Sequence, residues 1–212
     1  MTEPSDFIRA NSALIAPPLV PELRLHLATE VVPLWRKTEE ELNEMGVPPP
    51  YWAFAWAGGQ ALARYVLDNP ELVRGKRVLD FGAGSGIVAL AAAKAGAAHV
   101  LAADIDKFSI AAIAANAAAN GLTVATTSDD IIGSTEQFGV ILVGDMCYER
   151  PLAERLMAWL KSADAEILLG DPGRSYFPKQ GLTRLALYSV ATTRELEDRE
   201  IRETGVWKLN RD

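Results

Sequence analysis

The segment DFGAGSG at residues 80–86 combines an aspartate with three closely spaced glycines. It begins with the last two residues of the β-type run RVLDF and is followed by an Ala-rich helical pattern. The glycines are therefore predicted to form the turn between a strand and a helix. Such a turn lets the backbone approach a ligand closely, at a helix N-terminus that carries partial positive charge. The spacing of Gly82, Gly84 and Gly86 differs from the dinucleotide pattern G-x-G-x-x-G, and Asp80 would repel a pyrophosphate but attract an amino group. The turn therefore favours S-adenosylmethionine (SAM) over NAD.

Two further carboxylates follow the next β-type runs. Asp104 comes twenty-four positions after Asp80, where a carboxylate can accept hydrogen bonds from both ribose hydroxyls of a nucleoside. The alternative is an N-cap for the helix that begins near Lys107, for which Asp106 is the better candidate. In the segment SDDII, Asp130 is predicted to accept the exocyclic amine of adenine, the alternative being a surface turn formed by the aspartate pair.

The fourth β-type run ends in GDMCYE, beside the predicted reactive end of the ligand. Asp145 and Tyr148 are therefore the candidate catalytic residues. Glu149 is predicted to contact the substrate. Cys147 has no histidine near it in sequence, and a buried free thiol is its commoner role.

The segment GDPGRSYF follows the fifth β-type run. Turn chemistry alone explains Pro172 and Gly173, since both residue types are common in tight turns. Arg174 and Tyr176 need another explanation, and we predict that they contact the substrate. Further upstream, Trp52 and Trp56 either wall the methionine end of the cofactor or are plain core aromatics.

Strands and helices alternate in the predicted pattern, which indicates right-handed βαβ units and a parallel sheet with helices on both faces. Ligands of such sheets bind beyond the carboxyl ends of the strands, where the candidate residues stand. Prolines interrupt short helical patterns in residues 1–50, which we interpret as an N-terminal helical extension of a main domain at 51–212. Strands are predicted at 77–81, 99–103, 122–127, 139–144, 165–169, 184–191 and 199–208, and helices at about 85–95, 107–119 and 151–160.

The composition narrows the class of function. The chain has 212 residues and a formal net charge of −7, without a basic run that would neutralise nucleic-acid phosphates. One cysteine and two histidines argue against a disulfide framework or a metal site. No apolar segment reaches the ~20 residues of a membrane span, and the acidic start MTEPSDF is unlike a targeting peptide. We expect a cytoplasmic protein that binds no metal, membrane or nucleic acid.

Several of these segments together resemble one family. The stretch YWAFAWAGGQALARYVLDNPELVRGKRVLDFGAGSG and the motifs PELRLHLA, ADID, GDMCYE and GDPGR are similar to those of the electron transfer flavoprotein β-subunit lysine methyltransferases. The resemblance covers about residues 14–177. Two departures are Ala57, where the family often has Pro, and Cys147-Tyr148-Glu149 in place of the usual Phe-Tyr-Asp.

The resemblance implies a class I, SAM-dependent methyltransferase with a Rossmann-like, mostly parallel seven-stranded sheet. It also implies methyl transfer from SAM to lysine of the flavoprotein β subunit, with S-adenosylhomocysteine as product, and we expect the enzyme to act as a monomer. For this reaction Asp145 and Tyr148 would orient the incoming amine. Asp145 would then be a positioning group rather than a general base, because a carboxylate beside an amine opposes its deprotonation. The residues predicted to contact the cofactor are Trp56, Gly59, Asp80, Gly82, Gly84, Gly86, Asp104, Ile105, Asp130 and Asp145.

Three other functions stay open at this point. An NAD-dependent oxidoreductase is disfavoured by the glycine spacing and by the lack of a group suited to hydride transfer. A non-catalytic SAM-binding protein would be expected to lose some of the strand-end residues, which are intact here. A methyltransferase that acts on RNA or on a ribosomal protein shares the same cofactor motifs, although the acidic charge argues against RNA.

Overall fold

The structure, a computed structural model, describes residues 3–28, 48–192 and 200–211. Two single 3₁₀ turns, Tyr51–Ala53 and Pro70–Leu72, flank the second helix. The helices are α1 (Pro4–Ala10), α2 (Ala57–Asp68), α3 (Ile87–Lys94), α4 (Lys107–Asn120) and α5 (Arg150–Ser162). The strands are β1 (Ala13–Ile15), β2 (Leu25–Leu27), β3 (Arg77–Phe81), β4 (His99–Ala103), β5 (Ala125–Thr127), β6 (Val140–Gly144), β7 (Glu166–Asp171), β8 (Leu182–Ala191) and β9 (Ile201–Leu209).

Seven strands form one sheet in the order β5-β4-β3-β6-β7-β9-β8. β3 pairs in parallel with β4 and β6, β4 pairs in parallel with β5, and β6 pairs in parallel with β7. β9 runs antiparallel to both β7 and β8. The predicted mostly parallel, seven-stranded sheet is therefore confirmed. Because the chain moves outward from β3 to β5 and then returns to β6 on the other side, a crevice opens at the carboxyl ends of β3 and β6.

The predicted elements agree with the observed ones except at their ends. The strand predicted at 122–127 is shorter, because only Ala125–Thr127 pair with β4. The last predicted strand, 199–208, begins at Ile201, and residue 199 lies outside the described residues. No helix within residues 3–28, 48–192 and 200–211 has the length and apolar character that a membrane span needs.

Helices bury both faces of the sheet, since successive strand residues point to opposite sides. Val78 of β3 belongs to a core that includes Leu62 of α2 and Leu90 of α3. Its neighbour Leu79 belongs to a second core that includes Leu156 of α5. The continuous apolar sequence of β6 follows from this arrangement, because neither of its faces meets water.

The N-terminus of α2 lies directly on the ends of β6 and β7. A Cβ atom at Gly58 would collide with the carbonyl oxygen of Gly170 and with Oδ2 of Asp145, and a Cβ at Gly170 would collide with the carbonyl oxygen of Gly58. Only glycine at both positions lets the helix and the strand approach this closely. The arrangement fixes the next residue, Gly59, beside Asp145.

The N-terminal segment packs onto the main core. Its prediction as helical fits Pro4–Ala10, but Ala13–Ile15 and Leu25–Leu27 pair as antiparallel strands, since prolines between them leave room only for short extended runs. Leu23 and Leu25 are fully buried in the same core as α2 and α3. Residues 29–47 of the predicted extension lie outside the described residues, and the division at residue 50 stays a prediction.

Candidate active site

A cavity of about 760 Å³ opens beyond the carboxyl ends of β3, β4 and β6. A smaller pocket shares Trp56, Gly82 and Gly84 with it and adds two predicted residues, Gly59 and Asp80. Gly86, Glu149 and Tyr176 line neither space. The predicted residues that line the large cavity are Trp56, Gly82, Gly84, Asp104, Ile105, Asp130, Asp145, Tyr148 and Arg174. The topology thus brings together most of the residues that the sequence marks at strand ends.

Asp80 lies beneath the glycine turn and is only 1% exposed. Its Oδ2 atom accepts a hydrogen bond from the Ala89 N–H at 2.8 Å, in the first turn of α3. Burial raises the pKa of Asp80 to about 8, the Ala89 N–H opposes that rise, and the nearby Asp104 carboxyl adds to it. A cation beside Asp80 would favour its ionised form, which fits the amino group predicted to bind there. The same carboxyl also secures the start of α3.

The glycine turn has the tight shape that its sequence predicts. Gly82 has a φ of +66°, and a side chain there would collide with Met146. The N–H of Gly84 donates a hydrogen bond to Asp104 Oδ2 at 2.8 Å. Gly86, with a φ of +78°, is the N-cap residue of α3 and packs against Ile113 behind the turn. Gly82 and Gly84 therefore form the cavity wall, while Gly86 lies behind it.

Asp104 lies on the cavity wall at the end of β4. Its Oδ1 atom accepts the N–H of Asp106 at 2.9 Å, opposite the Gly84 bond on Oδ2. Burial raises its pKa, and the two N–H groups partly offset that rise. Asp106 caps α4 by accepting the N–H of Phe108 at 2.9 Å, so the predicted capping role of Asp106 is confirmed. Asp104 is not needed as that cap, which fits its predicted role toward ribose hydroxyls.

Asp130 and Ile105 form the adjoining part of the wall. Ile105 exposes 77% of its surface there, as an apolar surface on which a flat ring can lie. Asp130 accepts the N–H of Ile132 at 3.1 Å and forms an ion pair with Arg155 of α5, which lowers its pKa. Arg155 also lines the cavity, and no motif around it in the sequence marks it. Contact of Asp130 with adenine stays a prediction.

Asp145 connects three elements at the other end of the cavity. Its φ of +58° lies in the left-handed region, which residues other than glycine seldom adopt. Its Oδ2 atom accepts the N–H of Gly59 of α2 at 3.1 Å. Its Oδ1 atom accepts from Nε and Nη2 of Arg174 at 3.0 and 2.7 Å. This paired carboxylate fits the predicted positioning role better than that of a general base.

Asp171 anchors the turn that carries Arg174. Its Oδ1 atom accepts the N–H groups of Gly173 and Arg174, each at 2.7 Å. The side chain is buried, and its Oδ2 atom has no hydrogen-bond partner among the described residues. Burial raises the pKa of Asp171 to about 7, against the effect of the two N–H groups. The Asp-Pro-Gly sequence predicts the turn, and an aspartate that begins such a turn is itself a local signal for this anchor, although no role is predicted for Asp171 from it.

Three aromatic rings, Tyr51, Trp56 and Tyr148, form what we call the aromatic wall. The Tyr51 ring lies 5.9 Å from the Tyr148 ring and 6.1 Å from the Trp56 ring, between centroids. Burial raises the pKa of Tyr148 to about 12, so its hydroxyl stays protonated at neutral pH. No role is predicted for Tyr51 from the sequence, although it begins the aromatic segment that contains Trp56. Trp52 is fully buried in the core with Phe7, so it does not wall the cofactor site.

The remaining predicted residues stand outside the cavity lining. Cys147 is buried, and burial together with the charges of Asp171 and Asp145 raises its pKa to about 12. Its thiol is therefore protonated at neutral pH and unsuited to nucleophilic chemistry. Glu149 and Tyr176 are exposed, and their contact with a substrate stays a prediction.

The chain is similar over nearly its whole length to one group of proteins. The electron transfer flavoprotein beta subunit lysine methyltransferase of Xenopus laevis is 39% identical over 98% of this chain and 87% of its own. The proteins of the same name from Danio rerio and Homo sapiens are each 38% identical, covering 97% and 89% of this chain and 83% and 75% of their own.

A second likeness is confined to the middle of the chain. The family model described as ribosomal protein L11 methyltransferase matches residues 60–145. The protein of that name from Deinococcus radiodurans is 43% identical, but over only 44% of this chain and 35% of its own. The match contains the glycine turn, Asp104 and Asp130, and it ends before Tyr148 and Arg174.

Solved structures agree with the fold. A ribosomal protein L11 methylase from Lactobacillus delbrueckii subsp. bulgaricus has a TM-score of 0.53 at 24% identity, covering 75% of this chain and 81% of its own. Magnesium protoporphyrin IX methyltransferase from Synechocystis, solved with bound SAM, has a TM-score of 0.54 at 16% identity, covering 73% and 78%. These neighbours have the class I methyltransferase fold. The relatives that match over nearly the whole length show the family as well: the chain belongs to the electron transfer flavoprotein beta subunit lysine methyltransferase family.

Proposed function

We propose that this protein transfers a methyl group from SAM to a lysine side chain of the electron transfer flavoprotein β subunit. One observation carries the proposal: a single cavity joins the carboxylates suited to a nucleoside, around Asp104, to an aromatic wall and a paired carboxylate, around Asp145. The relatives named for this reaction align across both parts. We further propose that the enzyme is a cytoplasmic monomer without nucleic-acid or metal partners.

The residues at the ends of β3 and β4 fit SAM. Asp104 would accept the ribose hydroxyls, and the backbone of Gly82 and Gly84 would lie along the ligand. Asp80 would face the amino group of the methionine part. Asp80 and Asp104 both have raised pKa values because they are buried, and neither contacts an arginine or lysine in the described part of the chain. Such carboxyls are suited to a ligand that brings donors and positive charge.

Bound SAM would supply a methyl group that its sulfonium already activates. The lysine nitrogen would gain the N–C bond, sulfur would keep the electron pair of the C–S bond, and a proton would leave to water. The protein then has to align the amine and exclude water. Tyr51, Trp56 and Tyr148 would enclose the aliphatic stem of the lysine. The Tyr148 hydroxyl and Asp145 would orient the amine.

The acceptor must arrive as a free amine. At pH 7 an ordinary lysine with a pKa of about 10.4 is neutral roughly once in 2,500, which corresponds to roughly 4.6 kcal/mol. An apolar aromatic surrounding lowers this cost because it disfavours the ammonium form. The aromatic wall is therefore both a steric guide and part of the activation of the nucleophile.

The decisive experiment offers the purified protein two substrates. Electron transfer flavoprotein and ribosomal protein L11 are each incubated with tritiated SAM, and the products are mapped by mass spectrometry. We expect methyl groups on one or two neighbouring lysines of the flavoprotein β subunit, and loss of the signal with the Asp104→Ala variant. Methylation of L11 alone would support the second likeness instead, and methyl groups on arginine or on carboxylates would contradict the lysine assignment.

Salt provides a further check on the partner. The protein has a formal net charge of −7, and its proposed target is a lysine, which is cationic in solution. Long-range attraction between them speeds their encounter and is screened by salt. We therefore expect kcat/KM for the flavoprotein to fall as ionic strength rises, whereas the affinity for SAM should change little.

A further inference from the structure

Asp145 and Arg174 form a partly buried ion pair in the wall of the cavity. The side chains are only 9% and 18% exposed, and two guanidinium nitrogens bind the same carboxylate oxygen. The pair lines the cavity together with Tyr148, where the acceptor amine would be oriented. A partly buried pair of this kind is screened by water much less than a surface pair.

Arg174 is held in place by groups other than Asp145. Its backbone N–H binds Asp171 Oδ1 at 2.7 Å, and its guanidinium carbon lies 5.7 Å from the centre of the Trp56 ring. The turn after β7 and the aromatic wall therefore both direct this side chain into the cavity. Arg174 is therefore held beside Asp145 by several contacts.

The pair changes the charge that an incoming lysine meets. A lone carboxylate within about 4–6 Å would stabilise the ammonium form and raise the pKa of the lysine by roughly 1–3 units. A neighbouring guanidinium has the opposite effect. With Arg174 in place, the negative charge of Asp145 is compensated, so its effect on the pKa of the lysine is reduced.

We propose that Arg174 neutralises Asp145 so that the acceptor lysine enters the cavity and reacts as an uncharged amine. This inference rests on the proposed lysine methyltransferase function. It makes Arg174 a positioning residue whose effect is electrostatic: it acts on the lysine through the charge balance around Asp145.

Other titratable groups around the pair must be separated from this effect. Tyr148 and Cys147 have pKa values of about 12 and stay neutral in the range of interest. Tyr51 and Asp104 act on Tyr148 from two other segments, and Glu149 acts on it from the next position in the chain. Asp171, with a pKa of about 7, faces both Asp145 and Arg174. Its own titration is removed by the variant Asp171→Asn, whose amide oxygen can still accept the two backbone N–H groups.

The first measurement is the pH dependence of single-turnover methylation at saturating SAM. Relative to wild type, we expect Arg174→Gln to move the midpoint up by about one pH unit or more. Arg174→Lys should stay near the wild-type midpoint, since it keeps the charge even where its geometry costs rate. The double variant Asp145→Asn/Arg174→Gln should return toward the wild-type midpoint. The same midpoints are then measured in proteins that also carry Asp171→Asn, so that titration of Asp171 cannot cause the shift.

The matched control is Arg184→Gln. Arg184 also lies on a tryptophan, 5.6 Å from the Trp207 ring centre, but it does not line the cavity.

The second measurement does not depend on turnover. Calorimetry of flavoprotein binding near pH 8 with S-adenosylhomocysteine, in buffers of different ionisation enthalpy, counts the protons released. Wild type should release about one proton per lysine bound, and Arg174→Gln less than half of that. Equal proton release, or a rate loss in Arg174→Gln that is the same at every pH, would overturn the inference while leaving the methyltransferase function intact. No methylation by wild type at any pH would overturn the proposed function and the inference with it.

Discussion

The carboxyl groups that follow β3 and β4 and the carboxylate that follows β6 have opposite surroundings. At the ends of β3 and β4, Asp80 and Asp104 face backbone N–H groups and, within the described residues, no arginine or lysine contacts them. At the end of β6, Asp145 is paired with Arg174. We call these the cofactor end and the acceptor end. At the cofactor end, a cationic ligand can ionise the carboxyl groups by binding beside them. At the acceptor end, the guanidinium compensates the carboxylate for a nucleophile that must lose its charge. Identical side chains at equivalent strand ends thus acquire their chemistry from their neighbours.

The largest effect should come from the cofactor end. Replacing Asp104 by Ala removes the acceptor for two ribose hydroxyls, each worth roughly 1.5–3 kcal/mol as a charge-assisted hydrogen bond. We expect the affinity for SAM to fall by about 100-fold or more, from micromolar dissociation constants for both SAM and its demethylated product. Calorimetry measures this directly. Unchanged affinity in a folded Asp104→Ala variant would reject the ribose assignment.

Changes at the acceptor end should alter turnover instead of binding. Asp145→Ala and Tyr148→Ala should each slow methyl transfer by about 100-fold or more, with SAM affinity within about tenfold of wild type, because lost alignment acts in the transition state. Asp145→Asn is the matched control for the fold, since Asn tolerates the left-handed backbone of this position. Melting temperatures of the same variants identify any general destabilisation. Turnover within threefold of wild type in both alanine variants would show that the amine is aligned elsewhere.

The charge difference between the ends also predicts how stability depends on pH. Asp80 has a pKa of about 8 in the folded protein, against 3.8 for an unperturbed aspartate, so between these values the folded state holds a proton that the unfolded state has lost. Stability should therefore fall as pH rises toward 8, by at most about 1.4 kcal/mol per unit for this group. Without SAM, we expect the melting temperature at pH 6 to exceed that at pH 8.5 by roughly 3 °C or more.

Asp80→Asn tests the origin of that slope. The variant should flatten the pH dependence, leaving the smaller contribution of Asp171, whose pKa of about 7 acts in the same direction. Saturating SAM should also reduce it in wild type, because a bound cation lowers the pKa of Asp80. A slope that survives both changes would place the titrating group outside the cofactor end.

The smallest effect should come from Cys147. Methyl transfer from sulfonium to amine needs no enzyme thiol, and this one is buried and protonated at neutral pH. Cys147→Ser should keep turnover within about threefold of wild type in the same assay. A loss of turnover comparable to that of Tyr148→Ala would mean that Cys147 also contributes to the acceptor end.

The cofactor end could be predicted from sequence more completely than the acceptor end. A glycine turn and an aspartate at successive strand ends depend on local spacing, and the parallel topology then brings them together. The pair of Asp145 and Arg174 joins residues twenty-nine positions apart through side-chain orientation, which no local pattern contains. Tyr51 is missed for the same reason, since its contact with Tyr148 joins distant segments. Asp171 is different: it binds N–H groups two and three positions further along, which is a local turn pattern. The short strands β1 and β2 are missed because their three residues give no periodicity to detect.

The contact of Gly58 with Gly170 determines where this enzyme can be redesigned. Backbone meets backbone there, so any side chain would move α2 away from β7, and α2 carries the N–H that holds Asp145. Mutational libraries should return active variants with both glycines unchanged. A search for a different acceptor is better directed at Tyr51, Glu149 and Tyr176, whose exposed side chains can vary without disturbing that contact. Selectivity can then evolve at the rim while the two glycines keep the catalytic frame constant.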